Sequence, residues 1–132
     1  MGMPAAKQGD KIVGIDIHIV LIPTPPVGQT TPTPLPHPFN GNIDGNLSND
    51  VKIMGKPAAT VDSTATNTPS HVPQGGPFQK PPSNKATIKM GSPTVKINGK
   101  MAARNGDIAM TCNDPSDLPV GTVIATGTVN IG

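Results

Sequence analysis

The chain has 132 residues, 17 of them Pro and 15 Gly, with no Trp, no Tyr and two Phe, Phe39 and Phe78. One domain, residues 1–132, is expected at this length, and its aromatic volume is too small for a large conventional core. The net charge of +2 comes from 10 basic and 8 acidic residues. They are scattered and not interleaved with aromatics, which argues against a nucleic-acid partner.

The first element in chain order is the phrase Met3-Pro4-Ala5-Ala6-Lys7-Gln8-Gly9-Asp10. No long apolar region follows its Lys, so no secretory signal is expected. The protein is then made and kept in the cytoplasm unless another machine carries it out. Strands are predicted at Lys11–Val13 and Ile17–Leu21. Ile12–Ile22 is the most apolar stretch, but Gly14, Asp16 and His18 interrupt it, and no run approaches the ~20 apolar residues of a membrane span.

Pro23–Pro38 follows, rich in proline. Proline fixes φ and removes a donor, so this segment and its later counterpart, Pro69–Pro82, are expected as extended, non-sheet insertions crossing the surface. Between them lie a strand at Val51–Met54, a turn at Met54-Gly55 and a second phrase, Lys56-Pro57-Ala58-Ala59-Thr60-Val61-Asp62-Ser63, with a short strand at Thr60–Val61. Ala58–Thr68 is the longest stretch free of Pro and Gly, yet Thr, Ser and Val dominate it, and these are weak helix formers. Little or no helix is expected.

Further strands are predicted at Ala86–Met90, Thr94–Ile97, Ala102–Arg104, Asp107–Met110, Thr122–Ala125 and Thr128–Ile131. Asn98-Gly99 is a type I′ hairpin signal that folds Val95–Ile97 back onto Lys100–Arg104. The third phrase is Lys100-Met101-Ala102-Ala103-Arg104-Asn105-Gly106-Asp107.

The repeat reports architecture. Val51-Lys52-Ile53-Met54-Gly55-Lys56 aligns with Val95-Lys96-Ile97-Asn98-Gly99-Lys100 at an offset of 44 residues. Thr128-Val129-Asn130-Ile131-Gly132 matches the alternation of Thr94–Asn98. It stands at one end of the sequence and the first Pro-Ala-Ala phrase at the other. If the ends meet, three equivalent units close a ring. The expected fold is all-β: a small conical pseudo-threefold assembly of short strands and hairpins with long Pro-rich loops. Such a chain is suited to a threefold axis.

A thin core calls for a staple, and one Cys cannot form an internal disulfide, which leaves a metal. His18, His37, His71 and Cys112 together make a tetrahedral zinc set. His18 stands eight residues after Asp10, and His71 eight after Ser63, at matching repeat positions. Cys112 stands five after Asp107, whereas His37 lies in an insertion. The alternative is that three His is an ordinary number and Cys112 a small buried hydrophobe. If all four bind, no position stays open for water, so the ion is structural. No Ser lies in a nucleophile-elbow phrase, Gly75-Gly76 is followed by no phosphate-loop Lys, and Asp10 and Asp107 read as turn caps.

Gly91-Ser92-Pro93-Thr94-Val95-Lys96-Ile97-Asn98-Gly99-Lys100-Met101-Ala102-Ala103-Arg104-Asn105-Gly106-Asp107 resembles the signature of PAAR-repeat proteins, named for Pro-Ala-Ala-Arg. Met101 stands where the family has Pro, and Lys7 and Thr60 where it has Arg. The resemblance implies a small β cone that caps the spike of a contractile injection machine: a type VI secretion system, an extracellular injection particle or a phage tail. It implies a zinc ion on His18, His71 and Cys112, with His37 the remaining candidate. It implies no enzymatic activity. The implied partner is a homotrimeric VgrG-like β-helical spike with one copy of this chain per trimer. Non-covalently bound effectors and transient contact with a target membrane are also implied, as is export or release with the machine. The competing function is a small zinc hydrolase or toxin, which needs an open metal position. A docking adaptor whose main work is carrying an effector is a third.

Overall fold

The structure is a computed structural model that describes residues 2–132. Its described residues form twelve strands and no helix, in keeping with the all-β expectation. Three two-stranded ribbons each carry one Ala-Ala phrase. They are β1 (Met3–Pro4) with β12 (Asn130–Ile131), β4 (Lys52–Ile53) with β5 (Lys56–Pro57), and β8 (Lys96–Ile97) with β9 (Lys100–Met101). Met54-Gly55 and Asn98-Gly99 turn two of them with φ of 52°, 81°, 54° and 80°, the left-handed pair that a type I′ turn requires. In the third, Met3 pairs directly with Ile131, so the two ends of the sequence do meet.

The repeat closes in the backbone. Ala6 N–H donates to Ala103 O, Ala103 N–H to Ala59 O, and Ala59 N–H to Ala6 O, at 2.9, 3.0 and 3.0 Å. Only a small side chain lets three strands approach a common axis this closely, and these three alanines are essentially without exposure. One residue earlier, Ala5, Ala58 and Ala102 pack with Ile131, Ile53 and Ile97, two residues from each unit. After each phrase the chain turns in the same way. Lys7, Thr60 and Arg104 donate their N–H to Asp10 Oδ2, Ser63 Oγ and Asp107 Oδ2. Asp10 and Asp107 are therefore turn caps, and Lys7 and Arg104 pair with them.

A closed barrel follows the ring, in the order β10-β11-β2-β3-β6-β7. Each unit supplies one antiparallel pair: β2 (Lys11–Thr24) with β3 (Gln29–Gly45), β6 (Thr64–Asn67) with β7 (Lys85–Ile88), and β10 (Ile108–Thr111) with β11 (Leu118–Ile124). Ile12, Ala65 and Ala109 hold the same position in β2, β6 and β10, and all three are buried in the barrel core with Ile43, Ile88 and Val123.

Pro23–Pro38 departs from the expectation of a non-sheet insertion. Most of it is strand, and β2 and β3 pair without interruption from Lys11↔Asn42 to Thr24↔Gln29. The reason is period two. Pro32, Pro34, Pro36 and Pro38 alternate, opposite Leu21, Ile19, Ile17 and Ile15. The N–H groups of Ile17, Ile19 and Leu21 donate away from β3, to Asn113 Oδ1, Asp114 Oδ2 and Pro77 O. These residues therefore stand in pairs that exchange no ladder bonds, and their proline partners direct the missing donor to the open edge of β3. On the N-terminal side of Gly41 no strand among the described residues covers that edge. The second Pro-rich segment is irregular as expected, and its backbone is tied to β2 by the isolated bridge Val20↔Phe78.

Candidate metal centre

The strands β2, β6 and β10, which alternate around the barrel with β3, β7 and β11, leave the Ala-Ala ring and deliver their polar residues to the far end of the barrel. Alternation on β2 turns Ile12, Asp16, His18 and Val20 inward and leaves Ile15 exposed. On β3 the same alternation turns His37, Phe39 and Ile43 inward, with His37 opposite Asp16. His71 lies four residues beyond β6 and Cys112 one beyond β10.

Asp16, His18, His71 and Cys112 each place one ligand atom so that all four lie within 4.8 Å of one another. Cys112 Sγ is 3.5 Å from His18 Nε2 and 3.3 Å from Asp16 Oδ2. His71 Nε2 is 2.7 Å from Asp16 Oδ2. Three of the four residues expected from the sequence are thus brought together. His37 stands beside this set: its ring centroid is 5.6 Å from that of His18 and 5.4 Å from that of His71, and the His18 and His71 centroids are 5.1 Å apart. The three imidazoles form a nearly equilateral triangle, against which Phe78 packs from His18 and His37.

Asp16 was not foreseen. Its signal was its place two residues before His18, on the same face of a strand, in a stretch otherwise apolar. It is fully buried and also accepts a hydrogen bond from Thr111 Oγ1.

The hydrogen bonds fix which nitrogens face the centre. His37 Nδ1 lies 2.9 Å from Leu35 O. A carbonyl only accepts, so Nδ1 carries the proton and Nε2 the lone pair. Asn67 Oδ1 accepts from Asn40 N–H, and its Nδ2 donates to Asn84 Oδ1 and His71 Nδ1. His71 therefore keeps its proton on Nε2, directed at Asp16. His18 Nδ1 faces Asp114 Oδ1 at 3.5 Å without hydrogen-bond alignment, and it is buried without a hydrogen-bond partner among the described residues.

These groups fit a cation. A tetrahedral zinc holds its nitrogen, oxygen and sulfur ligands about 3.3–3.8 Å from one another, given bond lengths near 2.0–2.3 Å. The Cys112 thiol is pushed up to about 11, first by burial, then by the neighbouring Asp16 carboxylate. Burial also lowers His18, more than Asp114 raises it. A divalent ion reverses the first effect, because it favours thiolate. His37, with its far nitrogen on the Leu35 carbonyl, is oriented as a metal-bound histidine is, and His18 turns its far nitrogen toward the Asp114 carboxylate. His71 would have to release its Nε2 proton to bind an ion. The site is closed: the side chains of His18 and His71 are 1 % and 2 % exposed. A cleft of about 710 Å³ lies on the outer side of His37 and His71, lined also by Asn40, Asn67 and Gln74.

No curated protein matches the chain. The family model described as PAAR motif matches residues 36–115, a span that holds His37, His71, Cys112 and two of the three Ala-Ala phrases. It covers more than half of the sequence, and the first phrase, outside it, completes the same ring. The chain belongs to the PAAR motif family.

Proposed function

We propose that this chain is the structural tip of a contractile injection machine, capping and sharpening a homotrimeric VgrG-like β-helical spike. The observation that carries this reading is the cyclic Ala6–Ala103–Ala59 ladder, which makes one chain present three equivalent faces. Val51, Val95 and Val129 repeat around it and are exposed to nearly the same degree, 36 %, 36 % and 40 %. A true threefold surface is satisfied by such a chain without its own oligomerisation. The two-stranded ribbons leave unpaired edges that can continue a neighbouring sheet. The chain is made in the cytoplasm and leaves it on the machine.

The apex is locked by one structural zinc held by His18, His37, His71 and Cys112, with Asp16 as the buried carboxylate beside it. His37 is taken for the fourth position because its Nε2 is left with a lone pair beside His18 and His71, although Asp16 Oδ2 already lies against Cys112 and His71. Function then resides in shape and stiffness, without turnover. The burial of His18 and His71 favours this over a zinc hydrolase, which needs an open position for water and substrate.

Mass measurement of the purified tip–spike complex tests the reading. One copy of this chain per spike trimer is expected. Three copies per trimer, or no complex, would contradict it.

A further inference from the structure

The β2–β3 hairpin continues past the metal centre by six residues on β2, from His18 to Thr24, or about 20 Å at the usual rise of a strand. Two properties set this extension apart. The first is charge: the 27 residues between Asp16 and Asp44 include no Asp, Glu, Lys or Arg, although 18 such residues occur in the chain. The hairpin turns through Pro25, Pro26 and Val27, and Val27 is fully exposed.

The second is the backbone. A strand edge in water normally carries free N–H groups. Here the outward donors of Ile17, Ile19 and Leu21 are satisfied by Asn113, Asp114 and Pro77. Those of the facing strand are deleted at four successive positions by proline, and the next, Asn40 N–H, donates to Asn67 Oδ1. Deleting donors blocks pairing with another strand, which a charged edge residue does equally well in water. Deleting donors and excluding charge together serves a medium that solvates neither. In hydrocarbon, charges and unsatisfied N–H and C=O groups are the costly ones. This hairpin carries no charge and few free N–H groups, and the carbonyls of its β3 edge are the groups that keep it at the hydrated interfacial level. Its outer face is apolar, with isoleucines of β2 alternating against prolines of β3.

We infer that the β2–β3 hairpin tip partitions into a lipid bilayer at equilibrium, by its own chemistry and without applied force. The partner is the uncharged acyl and interfacial region, so anionic headgroups are not required. This deepens the reading of the chain as a piercing tip, and rests on it for its biological setting.

The chain's lack of Trp and Tyr makes the test clean. Val27→Trp in the full chain is titrated with phosphatidylcholine vesicles, with Val95→Trp at the opposite end as control. A blue shift and quenching by brominated acyl chains are expected at position 27 and not at 95. Adding Pro34→Lys and Pro36→Lys, both exposed, to Val27→Trp is expected to weaken partitioning roughly tenfold or more, with the thermal melt used to establish that the protein remains folded. If that protein unfolds, Gln29→Lys in the Val27→Trp background, exposed at the tip, replaces it with the same expected loss. No shift on vesicles overturns the inference, as does binding that requires anionic lipid or survives the added charges. Loss of vesicle binding with intact spike docking removes only this inference. The reverse result removes only the spike-tip reading.

Discussion

Cys112→Ser is expected to abolish zinc binding and to lower the melting temperature by more than any other conservative change in the chain. Serine preserves size and burial, but a hydroxyl is a poor zinc ligand. Structural zinc contributes on the order of 10 kcal/mol to small domains at neutral pH, comparable to the whole stability of an ordinary domain. Elemental analysis should find one zinc per chain in the wild type and almost none in the variant. The chelated wild type should melt near the variant. His37→Ala should also lose the ion, and Asp16→Asn should retain it. An unchanged melt, or full zinc in Cys112→Ser, would overturn the structural role.

Zinc affinity, measured by titration with a competing chelator, is expected to carry a pH dependence whose sign follows from the thiol. Cys112 in the metal-free protein titrates at about 11, so at lower pH it is protonated and must lose that proton to bind. Apparent affinity therefore rises with pH, by about tenfold per unit for each proton displaced, and falls as pH drops.

Ile97→Asp is expected to act at the other end of the molecule. Ile97 is 7 % exposed and packs with Ile53, Ile131 and three alanines, one pair from each unit. The side chains packed there are all apolar. An unpaired buried charge costs several kcal/mol, and a loss of about 3 kcal/mol lowers the melting temperature by roughly 10 °C in a domain of this size. Spike docking should fail with it, whereas Ile97→Val should cost about 1 kcal/mol and dock normally. The introduced carboxyl has its folded-state value raised, so the penalty relative to wild type shrinks as pH falls and the group becomes neutral in both states. A variant with wild-type melt and docking would show that the ring is not a packed unit.

The ring was legible because symmetry writes the same phrase three times, and the alanines that form it are irreplaceable in size. The Asn98-Gly99 turn was legible because few dipeptides accept two left-handed residues in succession. His18 and His71 were legible from repeat phase. The β2–β3 hairpin was not, because proline was weighed as a lost donor without asking which edge loses it. Alternation at Pro32, Pro34, Pro36 and Pro38 held the answer. Asp16 was missed for a related reason. Its role depends on Thr111 and Cys112 arriving from β10, about 95 residues later, and no local pattern reports that meeting.

The pairing of Met3 with Ile131 has a consequence for how this chain can be rewired. In the other two ribbons the same pair, Lys56 with Ile53 and Lys100 with Ile97, is joined by a two-residue turn. The position of the chain break around the ring is thus a choice among three nearly equivalent sites. Joining the present ends through a short glycine-containing link and opening the chain at Asn98-Gly99 should give a circular permutant with the same ring, barrel and metal centre.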